Sequence, residues 1–121
     1  MLRLVVADDH PVMLDGLVAY LNSFADVDVV AAVSDGEQAV SVAALLEADV
    51  AVLDLDMPVL DGFGAARRMA RLHPAPAVVL VTGLPVEALE DEAKRCGVSA
   101  VVSKTAASWH LACAVQNLQP R

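Results

Sequence analysis

This chain predicts an α/β domain in which a five-stranded parallel sheet lies between helices, and three observations carry the prediction. Five short Val-rich runs recur along it: Leu2–Ala7, Val27–Val33, Val50–Asp54, Ala77–Thr82 and Ala100–Ser103. Most are apolar throughout rather than alternating, which marks strands buried on both faces, as in a parallel sheet covered by helices. Between and after these runs come segments with helical periodicity, so strand and helix alternate along the whole chain.

Each element has its own local reason. The first strand runs into the acids Asp8 and Asp9. The first helix follows Pro11, since proline suits a first helical position, and Leu14, Leu17, Val18 and Leu21 give it one apolar stripe. The second helix is expected over 37–47, with Ala39, Ala43 and Leu46 on one side. The third is expected over 63–72, stopping before His73-Pro74 because the residue preceding proline resists helical geometry. The fourth is expected over 87–95, where Gly97 can supply a left-handed cap. The fifth is expected over 108–118 and carries Leu111, Val115 and Leu118. Right-handed crossovers put helices on both faces. The expected strand order is 2-1-3-4-5, that of flavodoxin-like sheets.

Bulk properties narrow the function. At 121 residues the chain suffices for one domain with a real core, here residues 1–119, and residues 120–121 read as the start of a linker. Hydrophobic residues make up 57%, too many for a disordered chain. Charged or turn residues break every apolar run before it could cross a bilayer. The opening segment is too short for a signal peptide and runs into two acids, so a cytoplasmic protein without a membrane partner is expected. A net charge of -8 argues against direct nucleic-acid binding, which needs lysine and arginine to neutralise phosphates. Cys96 and Cys113 show no metal-ligand spacing and read as small buried hydrophobes.

The chemistry collects where the strands end. Asp8 and Asp9 follow the first strand, Asp54 closes the third, Thr82 the fourth, and Lys104 follows the fifth. Parallel strands bring these groups to one edge, where open α/β sheets place their sites. Crowded carboxylates repel as anions, and a divalent cation relieves that repulsion. Magnesium prefers oxygen ligands with room for water and phosphate. In this reading Asp9 and Asp54 are ligands, Asp8 ligates directly or holds metal-bound water, and the Asp56 backbone carbonyl is a further ligand. Asp54 is the candidate nucleophile, because a carboxylate can accept a phosphoryl group as an acyl phosphate. Lys104 can reach a phosphoryl oxygen and Thr82 can donate a hydrogen bond to another. Gly83 leaves space for a phosphodonor, and Asp61-Gly62 can start the third helix. His10 lies beside the acids but has no second histidine at ligand spacing, so it reads as a helix-start residue.

These residues together resemble the receiver domain of a two-component response regulator. The opening Ala7-Asp8-Asp9-His10-Pro11-Val12-Met13-Leu14-Asp15-Gly16-Leu17 is similar to the NarL/FixJ subgroup. The resemblance implies phosphoryl transfer from a sensor histidine kinase to Asp54 with magnesium. The chain would then be no enzyme beyond catalysing its own phosphorylation and dephosphorylation. It further implies repacking of the face made by the fourth helix, fifth strand and fifth helix, a C-terminal LuxR-type helix-turn-helix in the full-length protein, and compatibility with a homodimer. Two positions depart from the family pattern. Val101 stands where a switching aromatic residue is usual, and Thr105 follows Lys104 where proline is common.

Three other readings compete. Asp54-Leu55-Asp56 resembles the motif of haloacid dehalogenase-type phosphatases, but that motif normally ends the first strand, and Pro58 stands where Thr or Val is usual. A flavin-binding module needs a Ser/Thr/Gly-rich loop after the first strand, where this chain has Asp8-Asp9-His10-Pro11. A receiver-like interaction domain that is never phosphorylated is suggested by Val101 and opposed by the complete set of site residues.

Overall fold

The computed structural model describes residues 1–104 and 108–118, with only the backbone for Ser108 and Trp109. Thr105 and residues 119–121 lie outside the described residues. The five strands form with the predicted bounds: β1 (Leu2–Ala7), β2 (Val27–Val33), β3 (Val50–Asp54), β4 (Ala77–Thr82) and β5 (Ala100–Ser103). They pair in parallel in the order β2-β1-β3-β4-β5. The β1–β2 register shifts between Leu4, which pairs with Val29, and Val5, which pairs with Ala31. This bulge lets the successive residues Val30 and Ala31 pack against the same core.

Helices cover both faces: α1 (Pro11–Asn22), α2 (Gly36–Leu45), α3 (Gly62–Met69), α4 (Glu90–Arg95) and α5 (Ser108–Gln116). Alternation along the strands divides the interior into two cores. On one face Val5, Ala7, Ala51, Leu53, Val78 and Leu80 meet Ala39 and Ala43 of α2 and Ala65, Ala66 and Met69 of α3. On the other, Leu4, Val6, Val50, Val52, Val79 and Val81 meet Leu21 of α1 and Leu111 and Val115 of α5. Phe63 packs against the first core, and Tyr20 meets Phe24 edge-on with ring centroids 5.3 Å apart.

Helix ends differ from expectation for local reasons. Asp35 caps α2, its carboxylate accepting the Gln38 N–H at 2.8 Å, so the helix starts at Gly36. Asp61 caps α3 through the Gly64 N–H at 2.8 Å. Beyond Met69 the chain tightens, with the Arg71 and Leu72 N–H groups reaching the carbonyls of Arg68 and Met69. The predicted fourth helix splits into a 3-10 turn, Val86–Ala88, and α4, because the Ala88 and Leu89 N–H groups bond to Pro85 and Val86. Gly97, at φ 80°, ends α4 as expected. The Val98 N–H bonds to Ala93 and the Gly97 N–H to Lys94, which makes a Schellman motif.

At the sheet edge opposite the candidate site, buried Asp49 joins β1, β3 and β4. Its Oδ2 accepts the Arg3 N–H at 2.8 Å, its N–H donates to the Arg3 carbonyl, and its carbonyl accepts from Ala77. Among the described residues no helix is long and apolar enough to cross a membrane. Cys96 is buried as expected, but Cys113 is exposed because it lies on the outer side of α5, away from Leu111 and Val115.

Candidate functional site

Strand direction delivers the predicted residues to one edge. Asp54 is the last residue of β3 and pairs in register with Val81, so Thr82 lies one step further along the neighbouring strand. The loop after Asp54 is fixed where the Leu55 N–H donates to the Val81 carbonyl at 3.0 Å and the Gly62 N–H to the Leu55 carbonyl at 2.8 Å. Asp8 leaves β1 with its N–H on the Val33 carbonyl at 3.1 Å. Lys104 is set just beyond β5 by its N–H on the Thr82 carbonyl at 2.7 Å.

The side chains converge. The Lys104 ammonium lies 2.9 Å from Asp54 Oδ1 and 3.9 Å from Asp8 Oδ2. Asp8 and Asp54 are buried, with relative exposures of 1% and 3%, whereas Asp9 is exposed. Oδ2 of Asp8 and Oδ2 of Asp54 are both buried without a hydrogen-bond donor. Each such group costs about 1–3 kcal/mol when nothing compensates it. Thr82 is buried, and its Oγ1 accepts the Leu84 N–H at 3.0 Å, which leaves the hydroxyl hydrogen to be donated. A Cβ at Gly83 would meet nothing within 4 Å, consistent with an open approach. The Asp56 side chain is exposed.

Burial pushes the Asp54 carboxyl above its ordinary pKa. The Lys104 hydrogen bond opposes that shift, and the nearby Asp8 charge adds to it. For Lys104, burial works against the ammonium, but the hydrogen bond and attraction of Asp54, with Asp8 and Asp56 behind it, outweigh burial and leave its pKa raised. One ammonium therefore faces two buried carboxylates and cannot satisfy both.

His10 enters the site unpredicted. It is the residue before α1, as expected, but its ring also turns onto the acids. Its N–H donates to Asp8 Oδ1 at 2.9 Å, and its Nδ1 lies 3.0 Å from the same oxygen and 3.1 Å from Asp9 Oδ1. One donor atom from each of Asp8, Asp9, His10 and Asp54 lies within 4.8 Å of the others. The only sequence signal for His10 was its place directly after two acids at a strand exit. The charge deficit and the two unpartnered buried oxygens suit a divalent cation.

Comparisons with known proteins show the family and agree with the fold. The family model described as the response regulator receiver domain matches residues 4–116. The transcriptional regulatory protein LiaR of Bacillus subtilis is 34% identical over 82 residues, 68% of this chain and 39% of that protein. Protein-glutamate methylesterase/protein-glutamine glutaminase 6 of Anaeromyxobacter dehalogenans is 43% identical over 79 residues, 65% of this chain and 23% of that one. The match thus spans well under half the length of these curated relatives. Among solved structures, the NarL signal receiver domain from Mycobacterium tuberculosis superposes with a TM-score of 0.88 at 30% identity, covering 96% of this chain and 94% of that one. Matched from within β1 to the end of α5, the chain belongs to the response regulator receiver domain family.

Proposed function

We propose that Asp54 is the phosphoryl acceptor of this receiver domain, with Lys104 and Thr82 as its partners and magnesium bound at Asp8, Asp9, Asp54 and the Asp56 backbone carbonyl. One observation carries the reading: a buried strand-end carboxylate lies 2.9 Å from a lysine ammonium and keeps its other oxygen unpartnered beside two further acids. An Asp54 oxygen attacks the phosphorus of a phosphorylated imidazole on a sensor histidine kinase. The P–N bond breaks, an acyl phosphate forms, and the imidazole leaves with a proton from solvent. Lys104 exchanges its contact with the free carboxylate for one with a phosphoryl oxygen, and the Thr82 hydroxyl donates to another. Bound magnesium supplies positive charge for the phosphoryl oxygens and for the crowded acids. The domain catalyses only its own phosphorylation and dephosphorylation.

The reading continues to a conformational switch. Thr82 ends β4 and Lys104 directly follows β5, so their movement reaches the α4–β5–α5 face. Val101 on β5 packs among core residues and offers no aromatic ring to rotate, so Thr82 and backbone shifts carry the signal. The likeness to LiaR and the NarL/FixJ-like opening support a C-terminal LuxR-type DNA-binding domain in the full-length protein. The 43% match to a methylesterase favours a second output, an enzyme domain governed by the same receiver.

Intact mass after incubation with acetyl phosphate, with and without magnesium, tests the site. A magnesium-dependent phosphoryl adduct is expected on the wild type and not on Asp54→Asn. An adduct of equal yield on Asp54→Asn would overturn the assignment.

A further inference from the structure

His10 changes which metals this site should prefer. A site built of Asp8, Asp9 and Asp54 offers oxygen only, which suits magnesium. Here an imidazole nitrogen is already in place, 3.0 Å from Asp8 Oδ1 and 3.1 Å from Asp9 Oδ1. Donors that share one ion at bonds of about 2.0–2.2 Å lie at most roughly 4.4 Å apart. The four donors here already fall within 4.8 Å, so a closure of a few tenths of an ångström would gather them. A second observation points to a cation among these donors: the buried Oδ2 atoms of Asp8 and Asp54 lack any hydrogen-bond donor.

We infer that this pocket binds borderline first-row transition cations, such as nickel or cobalt(II), through His10 Nδ1 together with Asp8, Asp9 and Asp54, whereas magnesium is held without His10. Imidazole suits nickel, copper and zinc, whereas carboxylate, carbonyl and water suit magnesium. His10 Nδ1 can supply a nitrogen lone pair to such a cation. The side chain is largely exposed, so the ring has room to settle onto a cation held by the carboxylates. Asp9 and His10 are the exposed members of the cluster, so they can adjust while buried Asp8 and Asp54 stay fixed. The consequence is regulatory: a transition cation would hold His10 over the phosphoacceptor and compete with magnesium for the same carboxylates.

The inference rests on the proposed metal site, and its test separates the two. Nickel and magnesium affinities are measured by titration calorimetry at one pH for the wild type, His10→Ala and Asp54→Asn. His10 lies before α1 with an exposed ring, so its removal should leave the circular dichroism spectrum unchanged. His10→Ala should weaken nickel binding about tenfold or more and leave magnesium binding within about twofold. In the cobalt(II) form, a paramagnetically shifted imidazole N–H resonance should be present in the wild type and absent in His10→Ala. Equal weakening of both metals would mean that His10 only positions the carboxylates, and no weakening would mean that it stays off the metal. Either result overturns the inference. If Asp54→Asn kept both affinities, the shared site itself would be wrong. If the nickel-specific loss appeared without magnesium-dependent phosphoryl uptake, the phosphoacceptor reading would fail and this one would stand.

Discussion

Val59 stands at φ 71° in the loop between Asp54 and α3. The Leu60 N–H donates to the Pro58 carbonyl at 2.8 Å, so Val59 is the centre of a γ-turn with positive φ, the rare and strained form. A β-branched side chain is poorly suited to that region, and at 78% exposure it gains little packing in return. Left-handed geometry costs an L-residue about 1–2 kcal/mol, while glycine adds about 0.5–1 kcal/mol of chain entropy. Val59→Gly should therefore stabilise the domain by about 0.5–1 kcal/mol, roughly 2–4 °C in Tm. A lower Tm in a calorimetric scan would refute the strain argument. Nothing in Pro58-Val59-Leu60 announces this conformation, so the sequence could not reveal it. Asp8, Asp54 and Lys104 were legible for a plain reason: strand direction alone sends the last residue of a parallel strand to a known edge. His10 was not, because its contact depends on a rotamer and on how α1 begins.

Elements were legible at their centres and less so at their ends. Apolar runs mark strands because both faces are buried, and all five strand bounds were read correctly. Helix ends depend on which carbonyl accepts the last N–H, so the third helix stopped short of its predicted end and the fourth split. The two glycines at helix α1 and at the start of α3 turn this local geometry into a paired prediction. At Gly62 a Cβ would lie 2.6 Å from Leu80 Cδ1, 2.8 Å from the Asp54 carbonyl oxygen and 2.9 Å from Leu55 Cα. Two of those atoms are backbone, so the loop itself must shift. Gly62→Ala should cost about 1–3 kcal/mol and slow phosphoryl uptake by moving Asp54. At Gly16, exposed within α1, a Cβ would meet nothing within 4 Å. Gly16→Ala should gain up to about 1 kcal/mol from helix propensity alone. Denaturant midpoints of both variants decide the matter, and a shift of the same sign in the two would contradict this account of the β3–α3 junction.

For the whole molecule, the site works against stability until something neutralises it. The folded state raises the Asp54 pKa, chiefly by burial, so the folded chain holds that proton more tightly than the unfolded chain does. The resulting contribution is fully present below the unfolded value of about 3.9 and is lost as pH rises through the folded pKa. Once pH exceeds the folded pKa, the buried anion is therefore a net burden, in a chain whose charge of -8 already favours expansion. Lys104 has the opposite timing. Its raised pKa gives stability that persists below about 10.4 and fades only as pH climbs through the folded value. Between those limits, Asp54→Asn without metal should be more stable than the wild type. The difference should open as pH rises above about 4 and level off once pH has passed the raised folded pKa of Asp54. Added magnesium should raise the wild-type Tm by mass action on the folded state. It should raise that of Asp54→Asn much less, so that the two curves approach or cross. Thermal melts of both proteins across pH, with chelator and with magnesium, measure all of this at once. A variant less stable than the wild type at neutral pH under chelator would show that the Lys104 contact outweighs burial. The site would then be a stabilising ion pair, with no electrostatic need for the cation.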